Sequence, residues 1–412
     1  MKIGILTYHC VPNFGAQLQT LSTVGFLRKL GHEPIVINWY PIDLEEMYRN
    51  RVPDIQISIH DKFCKEFLPI THLCRTEDEV VKIVEESQMD AVIHGSDALF
   101  KYQPEKGRRR FVKRKLKYRV FNPSISVEGL ENNLFWGGYL AKLRRKIPAA
   151  VYAVSSQNCQ YQLLTHSERK NLQKKLSNFC VISTRDEWTQ QMVCSITHKK
   201  NIEVFPDPVF SFEQNNTIVI PPKQSIIKKF NLPEKYILLC FRTNNLTTDY
   251  IQAISDSICS KGFCPVAFPM PEGLKDYGID KTIALPIDPI EWYCLIKYSS
   301  GYIGERMHPI VVCLHNSVPF FSFDEYGIFV NKKFSSKATF QLNSSKTYQI
   351  IEKADMKQYY YSYKQKEELP NPMRIVDLIS SFDVDKCSSF AFSQHQCYDN
   401  AMQKVFNCLS NE

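Results

Sequence analysis

Short apolar runs alternate with helix-spaced apolar positions from the start of the chain. In order, the sequence has an apolar run (KIGILTY), a turn-rich loop (VPNFGAQ), a stretch with helical apolar spacing that ends at Gly31 (LQTLSTVGFLRKLG) and a second apolar run (EPIVINW). An apolar run bounded by turn residues is typical of a buried strand, and the longer period is typical of a helix. This order predicts a β-α-β unit.

The same alternation continues through two series of elements. The first series has the apolar runs MDAVIHGSD, AAVYAVSS and FCVISTRD, with helical stretches near 77–88, 131–146 and 166–178. After the polar segment EQNNTIVIPPKQS, the second series has the runs KYILLCFR, GFCPVAFPM and SSGYIGERMH, with a helical stretch near 247–261. Strands that alternate with helices favour parallel sheets joined by crossover helices.

The polar segment between the two series marks a domain boundary near 215–228. We therefore predict an α/β protein with two Rossmann-like domains, at 1–220 and 221–412, each with a mostly parallel sheet. The length of 412 residues agrees, because single hydrophobic cores stop growing at about 250–300 residues. From about residue 350 the chain is polar and helix-prone, and we expect a helical tail that packs back on the domains. The cleft between the domains is the expected site.

Composition narrows the class of protein. Apolar residues make up 44% of the chain and charged residues 23%, which excludes a disordered or low-complexity protein. No apolar stretch reaches the roughly 18–20 residues of a membrane helix and the N-terminus lacks a signal peptide, so we expect a cytoplasmic protein. The 14 cysteines form no C-x-x-C pair. We expect most of them to be reduced and buried, several in strand-like runs around Cys240 and Cys313, and we expect no metal site.

Polar residues directly after each predicted strand are the candidates for chemistry, because open parallel sheets bind ligands beyond the carboxyl ends of their strands. The first loop contains Asn13 and Gly15 and could offer backbone N–H groups to an anion or a sugar hydroxyl. It lacks the G-x-G-x-x-G dinucleotide fingerprint, and a tight turn that needs glycine is the alternative. The strand end HGSD contains Ser96 and Asp97, which could bind a ligand or cap the next helix.

Two arginines occupy comparable positions, one in each predicted domain. Arg185 in STRDEW follows an apolar run; its planar fork could clamp a phosphate or carboxylate, or form a salt bridge with Asp186 or Glu187. Arg306 and His308 stand two apart in GERMHPIVVCLHN, directly before another apolar run. Histidine exchanges a proton near neutral pH while arginine holds an anion, so this pair suits acid catalysis on an anionic donor.

Six motifs occur in order along roughly residues 1–330: NFGAQLQ, GSD, STRDEW, PDPVF, ERMHPI and NSVPF. Together they resemble the polysaccharide pyruvyl transferase family. The resemblance implies a GT-B-like arrangement of the two domains and transfer of pyruvate from phosphoenolpyruvate onto two sugar hydroxyls as a cyclic ketal. It also implies that Arg185, Arg306 and His308 contact the donor, with His308 as general acid. Pro309 stands where a glycine is more usual in the family.

The chemistry of ketal formation agrees with these residue types. An enol phosphate must be protonated at its methylene carbon, and cations must surround its phosphate and carboxylate. No cofactor or metal is needed. With the donor on the second domain, we expect the first domain to hold the acceptor sugar, through Asn13, Gly15, Ser96 and Asp97.

A basic insertion follows the GSD motif. Residues 101–119 contain ten Lys and Arg and one acid, Glu105, with apolar residues interleaved in a loosely helical manner. The segment could be a solvated face, or it could meet anionic lipid or the diphosphate of a lipid-linked sugar. No recognised nucleic-acid-binding module accompanies it, so we expect no nucleic-acid partner.

The sequence thus predicts a pyruvyl transferase of capsular or exopolysaccharide synthesis, working in the cytoplasm at the inner face of the membrane. Its expected substrates are phosphoenolpyruvate and an undecaprenyl-diphosphate-linked oligosaccharide. One alternative is a GT-B glycosyltransferase that uses a nucleotide sugar; inhibition by a nucleoside diphosphate without phosphoenolpyruvate binding would indicate it. The other is a non-catalytic glycan- or lipid-binding protein, which would bind without turnover.

Overall fold

The structure is a computed structural model that describes residues 1–108, 110–114, 117–121, 126–130, 132–215, 218–242, 245–331, 338–365 and 367–410. The strands in this part of the chain are β1 (Lys2–Leu6), β2 (Glu33–Val36), β3 (Ala91–Asp97), β4 (Arg110–Arg114), β5 (Lys117–Phe121), β6 (Ala149–Val154), β7 (Val181–Thr184), β8 (Glu203–Val204), β9 (Tyr236–Cys240), β10 (Cys264–Ala267), β11 (Gly301–Gly304), β12 (Phe320–Asp324), β13 (Ile328–Asn331), β14 (Ala338–Gln341) and β15 (Tyr360–Ser362).

Helices connect these strands and cover both sheets. They are α1 (Phe14–Lys29), α2 (Ile42–Arg49), α3 (Asp54–Phe67), α4 (Glu77–Glu86), α5 (Glu105–Arg108), α6 (His166–Leu176), α7 (Glu187–Thr197), α8 (Phe212–Asn215), α9 (Lys223–Lys229), α10 (Thr248–Ser260), α11 (Pro289–Lys297), α12 (Met307–Asn316), α13 (Lys346–Lys353), α14 (Pro372–Ser380) and α15 (Val384–Ser410). None of the helices in the described ranges is long and apolar enough to span a bilayer.

Two parallel sheets organise the molecule. The first has the order β2-β1-β3-β6-β7-β8 and the second the order β10-β9-β11-β12-β15. All pairings within these two sheets are parallel. Strands β3, β6 and β9 are buried along their whole length, because helices cover both faces, and this is why they appear in the sequence as continuous apolar runs. The predicted fold class, two Rossmann-like α/β domains, is confirmed.

Polar residues at strand ends also start several helices. The Asn13 side chain accepts a hydrogen bond from the N–H of Ala16 at 3.2 Å and caps α1. The Asp186 carboxylate accepts from the N–H of Thr189 at 2.7 Å and caps α7. Such caps satisfy N–H groups that have no partner within the helix, and they fix where each helix leaves its strand.

The apolar run around Cys313 is a helix, α12, and the expectation of a strand-like run there was wrong. Its residues from Pro309 to Leu314 are all buried, since α12 packs against both α11 and α15. An unbroken apolar run is compatible with a buried strand or a buried helix, and periodicity alone does not separate them. Cys240 does lie in a strand, β9, and all 14 cysteines are free thiols.

The helix expected at 131–146 is also absent from the described part of that segment. Two 3₁₀ turns, Leu134–Trp136 and Gly138–Lys142, take its place. Gly137 lies between them with φ +80°, in the left-handed region. A glycine adopts this conformation at little cost and ends a right-handed helix, so it divides the segment into two short turns.

The chain after residue 350 contains more than the predicted helical tail. Tyr360–Ser362 forms β15, the edge strand of the second sheet, where a helix-prone segment was expected. Aromatic residues such as these tyrosines are enriched in strands, and this preference suits a partly buried edge strand. The final helix α15 then reaches the first domain, where the Tyr398 ring lies 5.2 Å from that of Phe26 and 5.6 Å from that of Tyr152, between centroids.

The basic insertion is not helical beyond its first turn. After α5, strands β4 and β5 form an antiparallel hairpin in which Arg110 pairs with Phe121 and Arg114 with Lys117. Val112 and Val120 favour strands over helices, and this preference outweighs the loose helical spacing. Residues 109, 115 and 116 of the insertion lie outside the described residues.

Candidate active site

The carboxyl ends of the two sheets face each other across a cavity of about 150 Å³, called here the central cavity. The sequence-predicted residues that line it are Asn13, Gly15, Asp97, Arg306 and His308. Both domains therefore contribute to one site. Two further predicted residues, Ser96 and Arg185, lie outside its lining.

Gly15 and His308 bring the two domains into close contact. A Cβ atom added to Gly15 would lie 2.1 Å from Cγ of the His308 ring. Any other residue at this position would push the imidazole away or separate the domains. Glycine is thus required here for the approach of α1 to α12, which adds a specific reason to the tight-turn alternative for this loop.

His308 is the second residue of α12 and faces the central cavity. Its Nε2 atom is buried and has no hydrogen-bond partner in the described part of the chain. Burial lowers the pKa of His308 to about 4, although the carboxylates of Asp97 and Asp207 act in the opposite direction. The imidazole is therefore neutral at neutral pH until an anion binds beside it.

Arg306 is the N-cap residue of α12, two positions before His308. Its Nη2 atom lies 3.1 Å from Oε1 of Glu272, and its side chain is 20% exposed. No side chain caps the start of α12, so the N–H groups of Met307 and His308 remain as donors at the positive end of the helix dipole. A guanidinium and a free helix N-terminus together form a site for an anion.

Arg185 lies in a buried cluster with two carboxylates, called here the Arg185 cluster. Its Nη1 atom is 2.7 Å from Oδ2 of Asp207, and its Nη2 atom is 3.3 Å from Oδ1 of Asp97. Gln19 also donates to Asp207, at 2.6 Å. Burial would raise the pKa of Asp97, but the positive charges of Lys346 and Arg185 hold that pKa well below its usual range.

Arg185 lines a separate cavity of about 230 Å³ on the other side of Met307 and Lys346. The alternative of a salt bridge with Asp186 or Glu187 is not seen, since Asp186 caps α7 and Arg185 pairs with Asp97 and Asp207. Both terminal nitrogens of its fork are thus already bound to protein carboxylates. Arg185 lies between the two domains, as the sequence analysis expected. Because its terminal nitrogens are already bound to carboxylates, it has fewer N–H groups free for a ligand than an unpaired arginine.

Ser96 is bound within the first sheet. Its hydroxyl donates to the carbonyl oxygen of Ala153 at 2.6 Å, and the residue is buried. The Ser96 hydroxyl is thus directed at β6, the neighbouring strand, whereas Asp97 at the end of β3 lines the cavity. This serine ties β3 to β6 and does not line the central cavity.

Lys346 is a site residue that the sequence interpretation missed. It is the first residue of α13, lines both the central cavity and the Arg185 cavity, and has no ion-pair partner among the described residues. Burial and the nearby charge of Arg185 lower the pKa of Lys346 to about 8. A lysine at a helix N-terminus opposes the helix dipole, and this unfavourable placement was the only signal available in the sequence.

The first charge of the basic insertion also belongs to the site. Lys101 lines the central cavity, where its Nζ atom is 3.5 Å from Oε2 of Glu128 and 5.4 Å from the ring centroid of Tyr8. Of the alternatives for the insertion, a solvated face does not describe this residue, because it lines the cavity. Glu305, in contrast, is structural, because it accepts hydrogen bonds from the N–H of Arg242 and the hydroxyl of Tyr363, both at 2.7 Å.

Solved structures with a similar fold include proteins described as UDP-N-acetylglucosamine 2-epimerases. A UDP-N-acetylglucosamine 2-epimerase from Rickettsia bellii has a TM-score of 0.52 and 12% identity, over 100% of this chain and 97% of its own. A protein described as the same epimerase, from Listeria monocytogenes, has a TM-score of 0.51 and 10% identity, over 95% and 90%. Spinosyn forosaminyltransferase has a TM-score of 0.47 and 10% identity, over 100% and 99%. At these identities the likeness to the two epimerase structures shows the fold alone, a GT-B-like one.

Two parallel-sheet domains around a shared cationic cavity thus define an enzyme of GT-B-like architecture. A family model described as polysaccharide pyruvyl transferase matches residues 13–325. The chain belongs to the polysaccharide pyruvyl transferase family and is a transferase. A comparison with curated proteins finds no match.

Proposed function

We propose that the enzyme transfers the pyruvyl group of phosphoenolpyruvate onto two hydroxyls of a sugar, forming a cyclic ketal. The acceptor is a precursor of a capsular or other surface polysaccharide, carried on undecaprenyl diphosphate. The observation that carries the proposal is the central cavity, where Arg306, Lys346 and the free N-terminus of α12 surround the unpartnered His308. This arrangement suits a small anion that must be protonated.

The proposed reaction begins with proton transfer from His308 to the methylene carbon of the donor. The oxocarbenium-like centre that results is attacked by one sugar hydroxyl, which loses its proton to the imidazole. Phosphate then leaves, a second hydroxyl of the same sugar closes the ring, and its proton leaves with the phosphate. Arg306 and Lys346 stabilise the negative charge of the donor throughout.

The low pKa of free His308 agrees with this role only if the donor raises it. Phosphoenolpyruvate brings several negative charges next to the ring, and an adjacent anion favours the protonated imidazole. Donor binding should therefore take up a proton near neutral pH. Calorimetry in two buffers of different ionisation enthalpy measures this uptake, and H308Q, which cannot hold the proton, should lose the imidazole's share of it.

Arg185 remains part of the proposed donor site, but its role differs from that of an unpaired arginine that grips the donor directly. Its guanidinium holds Asp97 next to His308 and adds positive charge behind Lys346. Asn13, Gly15 and Asp97 then form the first-domain wall that the acceptor sugar approaches. The two hydroxyls would enter from this side.

The experiment that tests the function is incubation with phosphoenolpyruvate and a panel of lipid-linked and nitrophenyl glycosides, followed by mass spectrometry. The expected product is a glycoside that has gained a pyruvate ketal, with release of phosphate. Inhibition by uridine or guanosine diphosphate without phosphoenolpyruvate binding would support a nucleotide-sugar glycosyltransferase instead. Binding of a glycan without turnover would support the non-catalytic alternative.

We also propose that the basic insertion at 101–119 brings the enzyme to the anionic inner face of the membrane. Each basic residue near such a surface contributes on the order of 1 kcal/mol at low salt. The protein should therefore co-sediment with vesicles containing phosphatidylglycerol and lose this association as salt rises. The double variant R110Q/R114Q should bind less, while the control K174Q/K199Q should bind as the parent does. Equal binding of both variants would contradict the proposal.

A further inference from the structure

A second and larger cavity, of about 470 Å³, opens beside the central cavity. Gln103, Ser156, Gln157, Asn158 and Gln160 give it an amide-rich lining, and we call it the amide groove. Lys101, Glu128 and Gln157 line both the amide groove and the central cavity. The two spaces are therefore adjacent, with these three side chains at their border, and a molecule that reacts in one lies next to the other.

The amide groove lies at the carboxyl edge of the first sheet. Its walls are the segment 101–108, which follows β3, and the segment 156–160, which follows β6, the neighbouring strand. Gln157 is held at φ +56°, a left-handed conformation that costs energy for a residue other than glycine. Its N–H is fixed by the hydroxyl of Ser155, at 3.0 Å. The left-handed conformation of Gln157 turns the segment 156–160 where the amide groove meets the central cavity.

The lining suits a ligand rich in hydroxyl groups. The side chains of Gln103, Gln157 and Asn158 make no hydrogen bond to any other residue in the described ranges. Each amide can donate and accept, as sugar hydroxyls also do. Lys101 is paired with Glu128, and Arg108 adds a buried Nε–H that has no described partner. The groove therefore offers many neutral partners and few free charges.

The far wall of the groove comes from the second domain. Ile328 lines it, and the Gln160 amide donates to the carbonyl oxygen of Phe329 at 3.5 Å. This contact and Ile328 close the groove on the side of the second domain.

We propose that the amide groove binds the sugar unit next to the one that is pyruvylated, so that the acceptor is an oligosaccharide of at least two units. The inference rests on the proposed function, because it takes the central cavity as the place of reaction. The groove supplies affinity for the acceptor, and the central cavity supplies the chemistry.

The test compares acceptors of one and two sugar units. The probes are p-nitrophenyl monosaccharides and p-nitrophenyl disaccharides that carry the same terminal sugar. We expect a KM at least about fivefold lower for the disaccharide. In the variant Q103A/N158A the disaccharide KM should rise about tenfold, since about one hydrogen bond is lost at each position, while monosaccharide kinetics stay unchanged. Gln173→Ala, at an exposed glutamine of α6, is the matched control.

The outcomes distinguish a failure of the inference about the amide groove from a failure of the proposed function. A disaccharide preference that the variant loses supports the inference. Equal KM values for the two acceptors, or a preference that survives in the variant, overturns it while leaving the pyruvyl transfer intact. Competition by inorganic pyrophosphate against the disaccharide, lost in R108Q, would assign the groove to the lipid diphosphate and overturn it too. Absence of turnover with every acceptor rejects the proposed function, and the inference with it.

Discussion

The strand ends of the two domains each present an arginine to the cleft, but in opposite states. Arg185 of the first domain is buried, with both terminal nitrogens bound to Asp97 and Asp207. Arg306 of the second domain is partly exposed, has one described carboxylate partner and stands at an uncapped helix with an unpartnered histidine. Although the Nε–H of Arg185 has no described partner, both of its terminal nitrogens are bound to carboxylates, so the side chain mainly holds the cluster together. Arg306 has one terminal nitrogen bound to a described carboxylate and is better placed to take a ligand, which supports the proposal that the second domain is the donor side.

The largest expected effect comes from removing the imidazole of His308, the reactive group at the strand ends of the second domain. His308→Ala should reduce turnover by roughly 10²–10⁴-fold, the usual contribution of general acid catalysis. Phosphoenolpyruvate should still bind, since Arg306 and Lys346 remain. Steady-state kinetics and calorimetric titration measure the two quantities. Near-normal turnover by a folded variant would remove His308 from the chemistry.

A substitution at Gly15 tests the contact between Gly15 of the first domain and His308 of the second domain. Gly15→Ala should displace the His308 ring and reduce turnover about 10²-fold, because small displacements of reacting groups have effects of that size. Gly138→Ala is the matched control, because its added Cβ would meet nothing closer than 3.4 Å. If turnover by Gly15→Ala equals that of the control, the contact has no part in positioning His308.

Lysine substitutions compare the two arginines directly. Arg306→Lys should weaken phosphoenolpyruvate binding about 10- to 100-fold, as expected for the loss of a charge-assisted hydrogen bond. Arg185→Lys should act mainly on stability, by about 3–5 kcal/mol, because one buried carboxylate of its cluster loses its partner. Calorimetry and thermal unfolding follow the two effects. If both variants lost the same affinity for phosphoenolpyruvate and neither changed its melting temperature, the two arginines would have the same role.

The smallest expected effect is a pH dependence that originates at Lys346. Its pKa of about 8 means that the side chain is charged below pH 8 and neutral above it. Affinity for phosphoenolpyruvate should therefore fall up to about tenfold between pH 7 and 9. Lys346→Arg keeps its charge and should flatten this decline, whereas the control Lys353→Arg, at the exposed end of the same helix, should not. A decline that persists in Lys346→Arg would place the titrating group elsewhere.

The sequence predicted five residues of the central cavity, because they lie at or after the ends of strands. Asp97 ends β3 and Arg306 follows β11, so a rule about strand ends was enough to find both. The same rule failed for Ser96, since its hydroxyl is directed at the neighbouring strand β6. It also missed Lys346, which comes from a helix start that only the tertiary fold brings to the cavity. Whether an arginine is free or already paired is likewise set by long-range contacts, such as that of Arg185 with Asp207.

The fold was predictable where the period of the apolar pattern was distinctive and failed where it was not. β1 and α1 differ clearly in their periods, whereas the buried helix α12 and a buried strand share an unbroken apolar run. In the basic insertion, charged residues outnumber apolar ones, so no pattern specified the hairpin of β4 and β5. Pairing across a hairpin depends on residues that meet only after the chain has turned.

The final helix α15 determines how the cleft can open. Its beginning belongs to the second domain, where the Cys387 thiol donates to the carbonyl oxygen of Leu314 at 3.5 Å, and its later part packs Tyr398 against Phe26 of the first domain. The chain therefore passes between the domains twice, once after α8 and once along α15. Two crossings favour a hinge rotation about the line that joins them over a free swivel of one domain. We expect such a rotation to separate Gly15 from His308 when a substrate enters and to restore their contact when the cleft closes.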